Sequence, residues 1–199
     1  MKNFTGNYLI ESKKIIDNLN KTKINKVIDI IYSVKKNLGR IFFIGVGGSA
    51  ANCSHAVNDF RKIAGIECYT PTDNVAELTA RTNDEGWETV FKEWLKISKL
   101  NSKDLIFVFS VGGGDKEKNI SKNLVEALKY SKTVGSKVVG IVGRDGGYTA
   151  RVADACVVIP TVNSETITAH TEGFQAVIWH LLVSHPELQK YEMKWESVK

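Results

Sequence analysis

The sequence predicts a three-layer α/β protein in which helices cover both faces of a five-stranded parallel sheet. Three runs rich in Val, Ile and Phe, at 41–45, 104–110 and 137–143, are each followed by glycine and a helical stretch. Two further runs, 67–70 and 155–160, complete the five strands. Short, almost continuous apolar runs are typical of strands that are buried on both faces, which favours a parallel sheet.

Two helices precede the first strand. Apolar residues recur at helical spacing over residues 5–20 and 24–38, and Gly39 is expected to end the second helix. The chain then alternates strands with helices, and the last long helix follows the fifth strand. This alternation of strands and helices indicates a parallel sheet that is covered by helices on both faces.

The composition limits the kind of protein. The 199 residues, 43% of them hydrophobic, suit a single domain, 1–199, in which the N-terminal helices (5–38) pack on an α/β core (40–185). The net charge of +5 is spread along the chain. We therefore expect no nucleic-acid partner, whereas a phosphorylated substrate would suit this charge.

Two absences point to a cytoplasmic protein. The polar start, MKNFTGNYLIESKK, lacks the apolar region of a signal peptide, and no stretch approaches about eighteen apolar residues, so we expect no membrane span. The three cysteines, Cys53, Cys68 and Cys156, show no metal-type spacing. An odd count without a signal peptide indicates reduced thiols.

The loops after the strands are the candidate binding segments, because ligands of such sheets bind beyond the carboxyl ends of the strands. These loops cover residues 45–50, 110–119, 143–148 and 161–172. GVGGSA and SVGGG can each present backbone N–H groups to a phosphate, or can simply be tight turns. In the second loop Ser110, Lys116 and Lys118 could contact an anion. The common nucleotide-binding motifs are absent, which argues against a nucleotide.

A histidine and a carboxylate share one stripe of the helix after GVGGSA. The apolar face of this helix holds Cys53, Ala56, Val57, Phe60 and Ala64. His55 and Asp59 lie roughly opposite that face and are four residues apart. Such a pair can bind a metal or transfer a proton. It can equally be a solvated pair worth only about 0.2–0.5 kcal/mol.

The last helix carries a second polar stripe. Its predicted core face holds Phe174, Val177, Ile178, Leu181 and Leu182. Glu172, Ala176 and His180 form the other stripe, and Trp179 is predicted to lie between the two. Apolar residues beyond the core face indicate a helix that is also buried against another subunit. His170 lies close by and could compete for the role of His180.

Glu172 and His180 are far apart for ligands of one metal. Positions eight apart lie about 12 Å apart along a helix axis. The two side chains can meet a single ion if both lean inward or if the helix begins near Glu172. Otherwise they serve neighbouring parts of the site.

Several motifs together resemble one known family, the phosphoheptose isomerases of the sugar isomerase (SIS) domain proteins. The resemblance covers nearly the whole chain, up to His180. It is carried by GVGGSA with His55 and Asp59 downstream, by NDEGWETVF (83–91), by SVGGG, by VGRDGG (142–147) and by the spacing of Glu172 and His180. These motifs are specific as a set.

The resemblance implies a fold, an assembly and a reaction. The fold would be the flavodoxin-like SIS fold, and the assembly a homotetramer with active sites at subunit interfaces. The reaction would convert sedoheptulose 7-phosphate to D-glycero-D-manno-heptose 7-phosphate through an enediol(ate), for lipopolysaccharide or capsule biosynthesis. Such an isomerase needs a base, an acid and a stabiliser of developing charge.

The resemblance also implies the site residues. Zinc would be held by His55, Asp59, Glu172 and His180. Asp59 would be the catalytic base and His180 the acid. Substrate contacts would fall on Gly47, Gly48, Ser49, Asn83, Asp84, Ser110, Gly112 and Glu172.

The chain departs from the family pattern at several of these positions. Asp59 stands for a glutamate, which shortens the side chain by one methylene. Glu172 stands for a glutamine and Val46 for an asparagine. The hydroxyl-rich phosphate loop has become SVGGGD, which keeps Ser110 and brings in Asp115. Two alternatives therefore stay open: an isomerase of another phosphosugar, and a non-catalytic SIS protein that binds a sugar phosphate or a protein partner.

Overall fold

Five parallel strands form the centre of the protein, in the order β2-β1-β3-β4-β5, in a computed structural model that describes residues 3–193. The strands are Ile41–Ile44 (β1), Cys68–Tyr69 (β2), Leu105–Ser110 (β3), Lys137–Val142 (β4) and Ala155–Val158 (β5). Each of the five predicted strands is present, and the predicted fold class is confirmed.

Helices cover both faces of the sheet. They are Phe4–Asn18 (α1), Lys21–Lys36 (α2), Gly48–Asp59 (α3), Val75–Asp84 (α4), Val90–Ile97 (α5), Lys122–Val134 (α6), Gly147–Val152 (α7) and Ile167–Val183 (α8). Because strand side chains alternate, Phe43 and Phe107 pack towards α1, α2, α3 and α8. Phe42 and Ile106 pack on the other face, towards α5 and α6. Within residues 3–193, no helix combines the length and the hydrophobicity needed to cross a bilayer.

The helices α3 and α8 lie side by side and run in the same direction. Near their beginnings, Nδ2 of Asn52 donates a hydrogen bond to the backbone oxygen of Glu172 (3.0 Å). Nearer their ends, Nε1 of Trp179 donates to Oδ2 of Asp59 (3.0 Å). The two partners are 120 residues apart in both pairs. This common offset fixes one register between the two helices.

Two details of the first half of the chain differ from the prediction. The helix α2 ends at Lys36, and Leu38 rather than Gly39 takes the left-handed conformation, with φ of 55°. Directly after Asp59 the helix continues as a π-helical turn, Phe60–Ala64, which no periodicity in the sequence indicated. Such turns leave backbone carbonyls free, and the oxygen of Ile63 accepts hydrogen bonds from the backbone N–H groups of Lys190 and Tyr191.

The predicted faces of α8 are partly wrong. Val177 and Leu181, assigned to the core face, are 50% and 43% exposed. Trp179, predicted to lie outside the core face, is only 1% exposed and packs inside. The ring stacks on Phe109 of β3 at a centroid distance of 5.7 Å. The helix therefore points its tryptophan at the sheet and leaves an apolar pair on its outer side.

Candidate functional site

Two clefts contain most of the predicted site residues. The first, here called the His–Asp cleft, has a volume of about 520 Å³ and lies between α3 and the end of α8. It is lined by His55, Asn58, Asp59, Lys62, Ile63, His180, Val183, Ser184, Glu192 and Met193. The second, the glycine-loop cleft, measures about 770 Å³ and lies at the carboxyl ends of the strands.

Asp59 is the buried centre of the His–Asp cleft. The residue is 7% exposed, so the prediction that it faces away from the core is wrong. Oδ2 accepts from Trp179 Nε1, and Oδ1 accepts from Asn58 Nδ2 at 3.0 Å. Both carboxylate oxygens are thus oriented by donors. A buried carboxylate requires such partners, because desolvation of an unpaired charge is costly.

Two imidazoles contact the same carboxylate from the solvent side. Nε2 of His55 lies 3.5 Å and Nε2 of His180 lies 3.3 Å from Oδ2 of Asp59. Both histidine side chains are half exposed. Nδ1 of His180 lies 2.8 Å from the backbone oxygen of Ala176, the residue one turn earlier. Since a carbonyl accepts only from N–H, Nδ1 carries a proton and Nε2 is directed at Asp59.

These three residues form a possible metal site. Their ligand atoms, two imidazole nitrogens and one carboxylate oxygen, all lie within 4.8 Å of one another. The backbone contact of His180 is the outer-shell partner that metal-binding histidines commonly have. The residues His55, Asp59 and His180 could therefore hold a divalent ion and leave a coordination position open.

Glu172 does not belong to this group. It lies at the beginning of α8, and its carboxylate covers Gly48, where a Cβ atom would collide with it. The metal-ligand group contains His180 and not Glu172, so the two residues do not meet at one ion, in agreement with the second of the two arrangements that the sequence left open. Gln175, which the sequence analysis did not single out, joins α8 to α3: its Oε1 accepts from Nδ2 of Asn52 (2.8 Å), and its Nε2 donates to Oγ of Ser49 (3.1 Å).

The two glycine loops after β3 and β4 pack against each other. The backbone oxygen of Gly113 accepts from the N–H and from the hydroxyl of Thr149, at 2.9 and 2.7 Å. A Cβ at Gly113 or at Gly147 would collide with backbone of the facing loop. These glycines are explained by close backbone packing. The oxygen Oγ of Ser110 accepts from the N–H of Gly113 (3.0 Å), which leaves its own proton for a ligand.

The glycine-loop cleft contains three cations. They are Lys118, Arg144 and Arg151, and none of them forms an ion pair within the described part of the chain. Ser49, Ser110, Gly112 and Val46 line the same cleft.

Both carboxylates in this cleft accept hydrogen bonds from backbone N–H groups. Asp115 accepts from the N–H groups of Glu117 and Lys118, and Asp145 accepts from the N–H of Gly147. The N–H of Lys118 is the main cause of a lowered pKa of Asp115, and burial opposes it only partly. The cleft thus offers free positive charge to an anion, although Asp115 lies in it.

Two predicted substrate residues lie elsewhere in this single chain. Asn83 and Asp84 end α4, are exposed and bond to each other (Asn83 Nδ2 to Asp84 Oδ1, 2.7 Å). Neither residue lines the two clefts described above. Gly47 and Gly48 form the start of α3, close to Ser49.

His170 belongs to a different cluster. It is buried, its Nε2 lies 2.9 Å from Oε2 of Glu11, and its ring stacks on Tyr8 at 4.2 Å. The same carboxylate of Glu11 accepts from Thr166 and Asn163, each at 2.8 Å. This cluster joins α1 to α8, so His170 does not compete with His180.

Sequence reasoning missed several residues of both clefts. Asn58 and Lys62 are neighbours of the recognised stripe, and α-helical periodicity could have indicated Asn58. Arg144 lies within the predicted loop 143–148 but was not considered. Glu192 and Met193 reach the His–Asp cleft only because the C-terminal segment bonds to Ile63. No local sequence pattern predicts a contact between segments so far apart in the chain.

Comparison with known proteins agrees with this architecture. The family model described as SIS domain matches residues 7–143, and the chain belongs to the SIS domain family.

Individual relatives in this family are phosphoheptose isomerases. The chain is 31% identical to the phosphoheptose isomerase of Aliarcobacter butzleri over 163 residues, which cover 77% of this chain and 80% of the relative. It is also 30% identical to the lincomycin biosynthesis protein LmbN of Streptomyces lincolnensis over 74% of this chain, and the match spans 56% of that longer relative. The structure of a phosphoheptose isomerase from Francisella tularensis superposes with a TM-score of 0.80 at 21% identity, covering 92% and 97% of the two chains.

Proposed function

We propose that this chain is an aldose–ketose isomerase of a phosphorylated sugar, with sedoheptulose 7-phosphate as the expected substrate. One observation carries the proposal: the buried carboxylate of Asp59 is held between two half-exposed imidazoles at an open cleft. A base and an acid side by side are what this reaction needs. The phosphoheptose isomerases among the relatives support the choice of sugar.

The carboxylate of Asp59 acts as the base. It takes a proton from the carbon next to the carbonyl, and the electron pair of that bond forms the double bond of an enediol. The carbonyl oxygen takes up a proton from Nε2 of His180. In the second half, the other enediol hydroxyl gives its proton to Nε2 of His180 and becomes the carbonyl, and Asp59 returns its proton to the neighbouring carbon.

Zinc is the metal proposed for the three-residue group. Zinc–ligand distances of about 2.0–2.1 Å place the ligands of a tetrahedral site roughly 3.3 Å apart. The observed Nε2–Oδ2 separations of 3.5 and 3.3 Å fit this spacing. Bound zinc would polarise the carbonyl oxygen. Nε2 of His180 cannot hold a proton and a metal ion at once, so the two roles of His180 are alternatives.

The phosphate is assigned to the glycine-loop cleft. Ser110 keeps a hydroxyl proton for a ligand, and the cleft offers the charges of Lys118, Arg144 and Arg151. Charge-assisted hydrogen bonds are roughly twice as strong as neutral ones, so the guanidinium groups can replace the hydroxyls that the loop SVGGGD lacks. Ser49 and Gly112 line the glycine-loop cleft, and together with Gly47, Gly48 and Glu172 they are assigned to the sugar.

We assign Asn83 and Asp84 to a neighbouring subunit's site. Their exposure at the end of α4 suits a role across an interface, and a homotetramer would bring such residues to a site. Val177 and Leu181, on the exposed side of α8, flank His180 and provide an apolar contact surface.

Solvent exchange tests the proposal directly. The protein, with and without added zinc, is incubated in D₂O with sedoheptulose 7-phosphate and with pentose and hexose phosphates, and deuterium at the exchanged carbon is followed by NMR. Turnover with carbon-bound deuterium supports the isomerase, and the preferred sugar identifies the substrate. Asp59→Asn is the matched control.

A non-catalytic function is the second candidate. The loop SVGGGD and the fold shared with a NanR protein, whose structure holds ManNAc-6P (TM-score 0.61), favour a chain that binds a phosphosugar without turnover. Saturable binding of a phosphosugar with no deuterium incorporation would decide for this alternative. Elemental analysis of protein purified without chelator decides whether zinc is bound.

A further inference from the structure

Trp179 is a fully buried side chain with one polar atom. Its ring stacks on Phe109 at an interplanar angle of 22° and is 1% exposed. The indole Nε1 donates its proton to Oδ2 of Asp59 at 3.0 Å. A buried N–H without a partner is unfavourable, so the indole and the carboxylate depend on each other.

The atom that receives this bond is the centre of the His–Asp cleft. Oδ2 of Asp59 is the same oxygen that both imidazoles approach. The Trp179 ring also lies beside both histidines, with centroid distances of 5.3 Å to His55 and 4.9 Å to His180. Its orientation is fixed by the sheet, because Phe109 belongs to β3. A rigid donor thus sets the direction of the carboxylate from inside the protein.

We propose that Trp179 is a positioning residue that holds the Asp59 carboxylate between the two imidazoles. It is too deeply buried to touch a substrate, so it acts only through Asp59. The short aspartate side chain has two rotatable bonds, and the donors from Trp179 and Asn58 leave it one orientation. This inference rests on the proposed function for its effect on catalysis.

A structural role alone would make a different prediction. Phenylalanine would fill much of the same space on Phe109, and only the N–H donor would be lost. If packing is all that matters, stability changes but the carboxylate stays in place. If the N–H positions the carboxylate, metal affinity and turnover fall in a folded protein.

The test compares Trp179→Phe with Trp87→Phe. Trp87 is 37% exposed and makes no side-chain hydrogen bond within residues 3–193, so it controls for the Trp-to-Phe change. Zinc affinity is measured by competition with a chelator. Loss of an outer-shell partner typically weakens a metal site by about 10–100-fold. We expect that loss for Trp179→Phe and less than a threefold change for Trp87→Phe.

Kinetics give the second readout. Trp179→Phe should lower kcat by roughly tenfold or more with little change in KM, because the phosphate and sugar contacts are untouched. In an Asp59→Asn background the same change should add almost no further loss, since residues that act as a unit are not additive. 3-Benzothienylalanine at position 179 keeps the ring shape and removes the N–H. It should behave like phenylalanine, and it keeps the test valid if phenylalanine prevents folding.

Each outcome decides the proposal. If the native chain binds zinc but turns over no phosphosugar, the proposed function fails. The comparison of zinc affinities still tests the role of Trp179. Unchanged zinc affinity and kcat in folded Trp179→Phe would overturn the positioning role and leave the isomerase intact. A chain that neither binds zinc nor turns over a phosphosugar would overturn both.

Discussion

A substitution of Asp59 should lower turnover more directly than a substitution of any other residue of the two clefts. Asp59→Asn keeps the shape of the side chain but removes the proton acceptor, so turnover should fall by about 10²–10⁴-fold. The amide can still accept from Trp179, and circular dichroism should show an unchanged fold. Steady-state kinetics measure the effect. Turnover within threefold of the native chain would remove Asp59 from the mechanism.

Arg144 should act on substrate binding rather than on the chemical step. It lines the glycine-loop cleft without an ion pair in the described chain, so Arg144→Ala should raise KM for a phosphosugar by roughly tenfold, the value of one charge-assisted hydrogen bond. Inhibition by inorganic phosphate should weaken in parallel. Arg144→Lys keeps the charge and serves as the control. Equal KM values for all three proteins would exclude Arg144 from phosphate recognition.

Three of the side chains that the sequence singled out lie together in the structure and share a property. His55, Asp59 and His180 lie on long helices, where spacing along the chain fixes their direction relative to one another. The burial of Asp59 could not be predicted, because it depends on Trp179 of a helix 120 residues away. Sequence reasoning missed Arg144 for another reason. This residue lies in a loop and has a φ of 52°, and no periodicity in a loop gives the direction of a side chain.

At the scale of elements, Glu11 joins α1 to α8. Its hydrogen bond with His170, then those with Asn163 and Thr166, lower the pKa of Glu11 below its usual 4.5. A lowered pKa in the folded state means that this carboxylate stabilises the fold above pH 4.5. The contribution is lost as the pH falls through the lowered value.

The resulting prediction concerns acid stability. Between about pH 5 and pH 3 the melting temperature should fall less steeply for Glu11→Gln than for the native chain, because the glutamine does not titrate. Thermal unfolding followed by circular dichroism measures both slopes. Glu88→Gln, an exposed carboxylate on another segment, should keep the native slope. Identical slopes for native chain and Glu11→Gln would show that this cluster does not respond to acid.

The strands could be predicted and part of the helix geometry could not. Apolar runs identify buried strands because both faces of each strand must avoid water. The π-helical turn Phe60–Ala64 has no such signature, since its extra residue shifts the register without changing composition. The faces of α8 were misjudged because apolar residues lie on more than one side of this helix. Its neighbours, rather than its own pattern, decide that Trp179 and not Val177 points inwards.

At the scale of the whole molecule, α8 leaves Val177 and Leu181 exposed on either side of His180. We expect a tetramer of about 88 kDa, four times the 22.1 kDa chain, in light scattering. The double change Val177→Gln and Leu181→Gln should shift it to smaller species, because it removes apolar area from a contact surface. Leu38→Gln, at a 91% exposed position on another surface, is the control. A native chain that is monomeric at micromolar concentration would contradict the assembly.

The shared register of α3 and α8 fixes the distance between the two clefts. A slide of one helix along the other would break the bonds of Asn52 and of Trp179 together, so the two helices keep one relative position. Ser49 and Asp59, ten positions apart, stand about 15 Å apart along that axis. A substrate that must reach from one cleft to the other therefore has to be of matching length. With the phosphate in the glycine-loop cleft, as proposed, phosphosugars would be distinguished by the number of carbon atoms between the reacting end and the phosphate, before the configuration of any hydroxyl is recognised.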